Sequence, residues 1–279
     1  MPVLALPSGA VAYAERGAPD APPLVLLHAN PGDRRDWDEV APALSARFRV
    51  LAVDWPGFGE APPPAAPAAS SAMGLAALLR ELVEAVDLPP AVLIGHSVGG
   101  YAATRLALDA PARVRALVLV DPGGFTPPSW LGRTFCRVKG REWVTRRIAG
   151  RFAARYLRTR TPAARAIIER ARTEQRDPAR VAIDAAIWRS FNHPEHDLRA
   201  RAAAITVPTL LVWGRHDPVV RPRVDGAAAR AALPHAAYVE IDTGHCPFAE
   251  APAMFLGAVQ PFLASLDGGS PGPGRSSSP

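Results

Sequence analysis

Short, uninterrupted apolar runs alternate with longer stretches of helical pattern along the first half of the chain. Leu24–Leu27 precedes Trp37–Leu44, Val50–Val53 precedes Met73–Val86, and Ala91–Ile94 precedes Val98–Leu108. Val114–Val120 and, much later, Leu210–Trp213 resume the series. Continuously apolar strands separated by helices predict a parallel sheet covered on both faces. Val3–Leu6 and Val11–Glu15, on either side of Ser8-Gly9, read as a hairpin at the sheet edge. The expected class is α/β, a mostly parallel sheet with helices on both faces.

Between Asp121 and Val207 the strand rhythm stops. Thr161-Pro162 and Asp177-Pro178 each set a capping side chain ahead of a proline at a first helical position. Val144, Ile148, Phe152 and Tyr156 recur every fourth residue, opposite Arg146, Arg147, Arg151 and Arg155, which predicts an amphipathic helix. Residues 122–206 are therefore expected to form a helical cap inserted after the sixth strand, with 1–121 and 207–266 as the core. Gly, Pro and Ser dominate 267–279, which reads as a disordered tail.

Composition changes this picture little. The 279 residues are 48% hydrophobic and 21% charged, as in ordinary globular domains. Cys136 and Cys246 are the only cysteines, too few for a thiolate zinc cluster and consistent with a reducing compartment. A formal charge of +6 raises nucleic acid as a partner, but all 32 basic residues except Lys139 are arginine, the bias of a GC-rich genome. No recognition-helix or RNA-binding motif accompanies the charge, so no nucleic-acid partner is expected. The excess is local: Pro122–Leu198 holds sixteen Lys and Arg against seven Asp and Glu. The longest uncharged run, Ala61–Leu79, is broken by four prolines and reads as a loop and helix start, not a membrane span. The turn at Pro7-Ser8-Gly9, with no basic residue before it, argues against a secretory signal. A cytoplasmic protein with no membrane partner is expected; the oligomeric state is open.

Gly95-His96-Ser97-Val98-Gly99-Gly100 joins a strand directly to a helix. A serine on so sharp a turn needs small neighbours, and the turn lifts its hydroxyl to the carboxyl end of the strand, beside a helix N-terminus. A serine nucleophile requires a base and an orienting acid. Of seven histidines, His245 lies in a glycine-containing loop past a short apolar strand and is the candidate base. His96 reads as packing, and His193, His196 and His235 as loop or solvated residues. Asp217, in Gly214-Arg215-His216-Asp217-Pro218 after Leu210–Trp213, is the favoured acid, and Asp121 is its competitor. Gly57-Phe58-Gly59 lacks the third glycine of a dinucleotide loop, and no metal-ligand spacing occurs, so neither cofactor nor metal is expected.

These motifs together resemble the α/β-hydrolase superfamily, in particular its cap-bearing group of esterases, carbon–carbon bond hydrolases, epoxide hydrolases and dehalogenases. Leu26-Leu27-His28-Ala29-Asn30-Pro31-Gly32 is similar to the family's oxyanion loop, with Ala29 in place of a glycine, and Asp54-Trp55-Pro56-Gly57-Phe58-Gly59 to its Asp-x-x-Gly-x-Gly turn. The resemblance implies an oxyanion hole formed by the Asn30 and Val98 amides. Serine at position 97, where dehalogenases and epoxide hydrolases carry aspartate, points to a serine hydrolase acting on an ester, thioester or lactone of a medium-sized apolar small-molecule substrate. A carbon–carbon hydrolase of a diketone-type acid would use the same residues, and a catalytically silent ligand-binding scaffold is a third reading. In the cap, Trp188 and Arg189 are the candidate substrate contacts, Arg189 for a carboxylate.

Overall fold

Four apolar runs have the composition of strands buried on both faces, and the computed structural model, which describes residues 2–267, puts them at the centre of one sheet. Its eight strands are β1 (Val3–Leu6), β2 (Gly9–Arg16), β3 (Pro23–Leu27), β4 (Arg49–Asp54), β5 (Ala91–His96), β6 (Val114–Val120), β7 (Thr209–Gly214) and β8 (Ala237–Ile241), in the order β1-β2-β4-β3-β5-β6-β7-β8. β1 and β2 form the expected hairpin and β2 runs antiparallel to β4; every other pairing is parallel.

Strand side chains alternate between two apolar layers. Val25, Leu27, Leu93, Leu117 and Leu211 face one cluster, which includes helices α2 (Ala72–Ala85) and α3 (Val98–Asp109). Leu24, Leu26, Ile94, Val118 and Val212 face the other, with Leu44 of helix α1 (Ala41–Ser45) and, from the C-terminal helix over Pro252–Ser265, Phe255, Val259 and Leu263. The helix expected over Trp37–Leu44 is split into a 3-10 turn at Arg34–Trp37, capped by Asp33, and α1, which starts afresh with Pro42 in its first turn.

Between β6 and β7 come helices and no strand, as the pattern required: α4 (Trp130–Lys139), α5 (Glu142–Tyr156), α6 (Pro162–Glu174) and α7 (Pro178–Ser190). Thr161 and Asp177 cap α6 and α7 through their side chains. In α5, Val144 and Tyr156 are buried, while Arg146, Arg147, Arg151 and Arg155 are exposed. The remaining helices are α8 (Ala227–Ala232), α9 (Pro247–Glu250) and α10 (Pro252–Ser265). The predicted tail, apart from Asp267, lies outside the described residues. Among those residues no helix is long and apolar enough to cross a membrane.

Candidate active site

The carboxyl ends of β5, β6 and β7 lie side by side, and hydrogen bonds step across them. Ser97 N donates to Val120 O and Asp121 N to Val212 O, each at 3.0 Å. Ser97 sits at φ 53°, ψ −113°, a region costly for any residue with a Cβ and found where surrounding structure enforces it. The glycines around it answer to close approach: a Cβ on Gly95 would come within 2.5 Å of Gly99 O, and one on Gly99 within 2.4 Å of Leu27 O. Only at these positions can β5, the turn and α3 meet closely enough to hold Ser97 at the strand end.

His245 is brought to the same place from β8. Its Nδ1 lies 2.6 Å from Asp217 Oδ2, and both side chains are buried. Val219 N and Val220 N donate to Asp217 Oδ1 at 2.7 and 3.1 Å, so with His245 three donors converge on this carboxylate. His96, the neighbour of Ser97, packs against His245 with ring centroids 4.5 Å apart and planes tilted by 53°, its Nε2 2.8 Å from His245 O. That contact joins the serine turn to the histidine loop, and burial holds the His96 ring neutral by driving its pKa well below 6.5.

Asp121 is not on His245; it backs Asp217. One ligand atom each from Asp121, Asp217 and His245 lie within 4.8 Å of one another. Gly214 N donates to Asp121 Oδ1 at 3.0 Å. Burial, then the charge of Asp217, push the Asp121 carboxyl well above the ordinary range, so a proton is held more tightly there than on a free carboxylate. The same cluster has the residue types of a metal site, but its donors are engaged with each other through the His245–Asp217 hydrogen bond.

Asn30 follows β3 and meets the cap. Its backbone N–H has no acceptor among the described residues, and the Val98 N–H, first in α3, has none within its helix. The loop is held by His28, whose Nε2 accepts from Trp55 N at 3.1 Å, so Nδ1 carries the proton and donates to Ala29 O at 2.6 Å. Ala29 is buried without displacing that bond.

Four residues that sequence reasoning missed tie the cap to these loops. Asn30 Nδ2 donates to Asp184 Oδ1 of α7 at 3.0 Å, and Asp184 Oδ2 pairs at 3.1 Å with Lys139 of α4, which is 1% exposed. On the other side, Tyr156 O accepts from His245 N at 2.9 Å. Glu250 accepts from Gly244 N and Cys246 N, flanking His245, and from Arg158 N and Thr159 N after α5. Lys139 had a signal: a single lysine among arginines marks a place where a compact ammonium fits and a guanidinium fork does not. Trp188 is buried in the cap against Phe135, Phe152 and Phe191, its indole N–H unpartnered among the described residues. The Arg189 guanidinium is engaged by the carbonyls of Gly140 and Ala68, fastening α7 to the loop before α2. His196, expected as a solvated loop residue, is sandwiched between Tyr101 and Phe191 at 4.8 and 4.7 Å.

Comparison with known proteins agrees with this geometry. The model of the alpha/beta hydrolase fold family matches residues 22–252. Over 254 residues the chain is 30% identical to the pimeloyl-[acyl-carrier protein] methyl ester esterase of Aeromonas hydrophila, spanning 87% of this chain and 95% of that one. The enol-lactonase of Burkholderia xenovorans superposes with a TM-score of 0.79 at 26% identity, covering 94% of this chain and all (100%) of the other. An esterase of Thermogutta terrifontis gives 0.79 at 25% identity, with 95% and 99% covered. An eight-stranded, mostly parallel sheet, helices following β6 and a match over most of its length together make this chain a hydrolase of the α/β-hydrolase family.

Proposed function

We propose that the protein is a serine hydrolase cleaving an ester, thioester or lactone through an acyl-enzyme. Ser97 Oγ attacks the carbonyl carbon, and its proton passes to His245 Nε2. The Asn30 and Val98 amides donate to the oxyanion as charge develops there. The leaving group takes the proton from His245, and water then repeats the sequence on the acyl-Ser97 ester. Asp217 keeps the second proton of the imidazole on Nδ1 and steadies the imidazolium that forms. Residues 122–206 act as the cap over this centre.

The observation that carries the reading is the buried His245–Asp217 pair at 2.6 Å, joined through His96 to a serine held at φ 53°. A medium-sized apolar acyl group suits a cap whose buried residues include Val181, Ile187 and Trp188. The printed activities of the relatives, a methyl ester esterase and an enol-lactonase, favour acyl–oxygen bonds over carbon–carbon cleavage. A fluorophosphonate probe should label one residue, Ser97, as read by peptide mass spectrometry, and Ser97→Ala should lose both labelling and ester turnover while melting at the wild-type temperature. Labelling elsewhere, or more than a few per cent of turnover left in Ser97→Ala, would falsify the assignment.

A further inference from the structure

Eight large apolar side chains are exposed among the described residues, and five of them fall between positions 130 and 143. Trp130, Leu131, Phe135 and Val138 of α4 are 74, 62, 46 and 40% exposed, and Trp143 at the start of α5 is 66% exposed. At 100° per residue, Leu131 and Val138 share one face of α4, with Trp130 beyond it on one side and, on the other, Phe135, which is half exposed and leans on Phe152 and Trp188 of the cap. The opposite flank, with Cys136 and Lys139, is the one that packs into the cap. The face turned to water is thus the apolar one, the reverse of an ordinary surface helix.

Past Trp130 on the same exposed side of the helix come Arg137 and then Arg133, and Arg141 follows where the helix ends; all three are exposed. None of them joins an ion pair among the described residues, whereas the cap arginines Arg170 and Arg180 do. Glu142 is the one acidic residue between Trp130 and Arg151. The surface therefore combines protruding indoles, an aliphatic stripe and unneutralised guanidinium groups.

We propose that α4 and the start of α5 dock the protein on an anionic lipid surface, with Trp130, Leu131 and Trp143 entering the headgroup boundary and the arginines meeting lipid phosphates. Charge selects this occupant. A second copy packed on the same face by a twofold axis would bring two arginine rows together with one Glu142 each to offset them. A neutral apolar partner would leave the guanidinium groups without counter-charges. An anionic bilayer satisfies both components, and Trp and Arg are the residues that settle at its interface. The expectation of no membrane partner rested on the lack of a spanning segment, and lateral docking needs none. Docking would turn the roof of the site towards lipid, and that link to turnover rests on the proposed ester hydrolysis; binding itself does not.

The test is co-sedimentation and tryptophan emission with vesicles of phosphatidylcholine alone and of phosphatidylcholine with 30% phosphatidylglycerol. Trp37, Trp55, Trp188 and Trp213 are buried, so a blue shift reports Trp130 and Trp143. Binding to the anionic vesicles should exceed that to neutral ones, and should weaken as salt rises from 20 to 500 mM. Arg137→Gln and Arg141→Gln should each weaken it about fivefold, and Trp130→Ser with Trp143→Ser should abolish the blue shift, all with wild-type melting and wild-type hydrolysis of a soluble short-chain ester. Loss of soluble-ester activity in Ser97→Ala with vesicle binding intact separates the two proposals. Equal affinity for both vesicle types, no binding at 20 mM salt, binding to poly-glutamate but not to vesicles, or a concentration-dependent dimer lost in Trp130→Ser would each overturn the lipid assignment.

Discussion

Asp217→Asn and Asp121→Asn differ sharply in what the structure lets them do, because fixed donors decide which way each carboxamide turns. Val219 N and Val220 N point at Asp217 Oδ1. In Asp217→Asn the amide oxygen stays with them, which puts the amide nitrogen where Oδ2 was, 2.6 Å from His245 Nδ1. An N–H facing Nδ1 drives the imidazole proton to Nε2, the atom proposed to accept from Ser97. The expected loss in kcat is about 10⁴-fold, or about 5.5 kcal/mol of barrier. In Asp121→Asn the oxygen stays with Gly214 N and the nitrogen takes the place of Oδ2, which has no hydrogen-bond partner among the described residues and does not touch His245. That change should leave kcat within about threefold, under about 1 kcal/mol. Steady-state hydrolysis of p-nitrophenyl butyrate at pH 7.5 measures both. A second readout is stability against pH. Asp121 is raised above its unfolded value of 3.8, so the native state keeps a proton that the unfolded state releases. Its stabilising effect is full below 3.8 and falls as pH rises, by about 1.4 kcal/mol per unit until the native pKa is reached. Asp121→Asn should remove that slope from urea denaturation curves. Equal losses of activity in the two variants, or a larger one in Asp121→Asn, would refute the placement of the orienting acid at Asp217.

Removing one member of the buried Lys139–Asp184 pair leaves the other uncompensated, so Asp184→Ala should cost about 3–5 kcal/mol and lower the melting temperature by roughly 10 °C, whereas Lys139→Met with Asp184→Leu should melt near wild type; calorimetry decides. Glu250→Gln keeps the size of the side chain but weakens four backbone contacts around His245, and kcat should fall at least about tenfold with KM little changed; an unaltered kcat means the loop is held by other contacts. Burial lowers the His196 pKa from 6.5 to about 4, so its contribution is full above pH 6.5 and is lost as pH falls towards 4, at up to about 1.4 kcal/mol per unit; His196→Phe keeps the stacking and should flatten that part of the stability–pH curve.

The strands were legible because β3, β5, β6 and β7 are buried on both faces over nearly all their length, and the polar residues Arg115, His96 and Thr209 fall at or next to strand ends, where they do not blur the apolar runs. The placement of Ser97, Asp217 and His245 at one edge of the sheet was legible for a related reason: each follows a recognisable strand, and strand ends in a parallel sheet share one edge. What holds them was not. Asn30 and Asp184 are 154 positions apart, and Arg158 and Glu250 are 92 apart. No local periodicity encodes such pairings; they exist only once the cap has folded over the core. The carbonyl contacts of Arg189 were not legible for the same reason, since an arginine beside a buried tryptophan reads equally as an anion contact or as a clasp on backbone carbonyls. Asp121 was legible as a competitor because it too ends a strand, and only the third dimension separates the carboxyl on His245 from the one behind it.

The two groups of tethers constrain how the cap can move. Asp184 holds the side chain of Asn30, whose backbone amide is proposed to face the oxyanion, and Tyr156 with Glu250 holds the loop of His245, the proposed base. The helical insertion is therefore attached at both sides of Ser97. A rigid swing of all four helices would break the Asn30 contact and the His245 contact together, disordering the oxyanion loop and the base in the same step. Access that keeps the site competent must come instead from motion within the cap, and α4 is the element with the weakest hold on the core: Lys139 and Phe135 anchor it to α7 and α5, while its opposite face is in water. The helix best able to shift without dismantling the site is thus also the one with the exposed indoles.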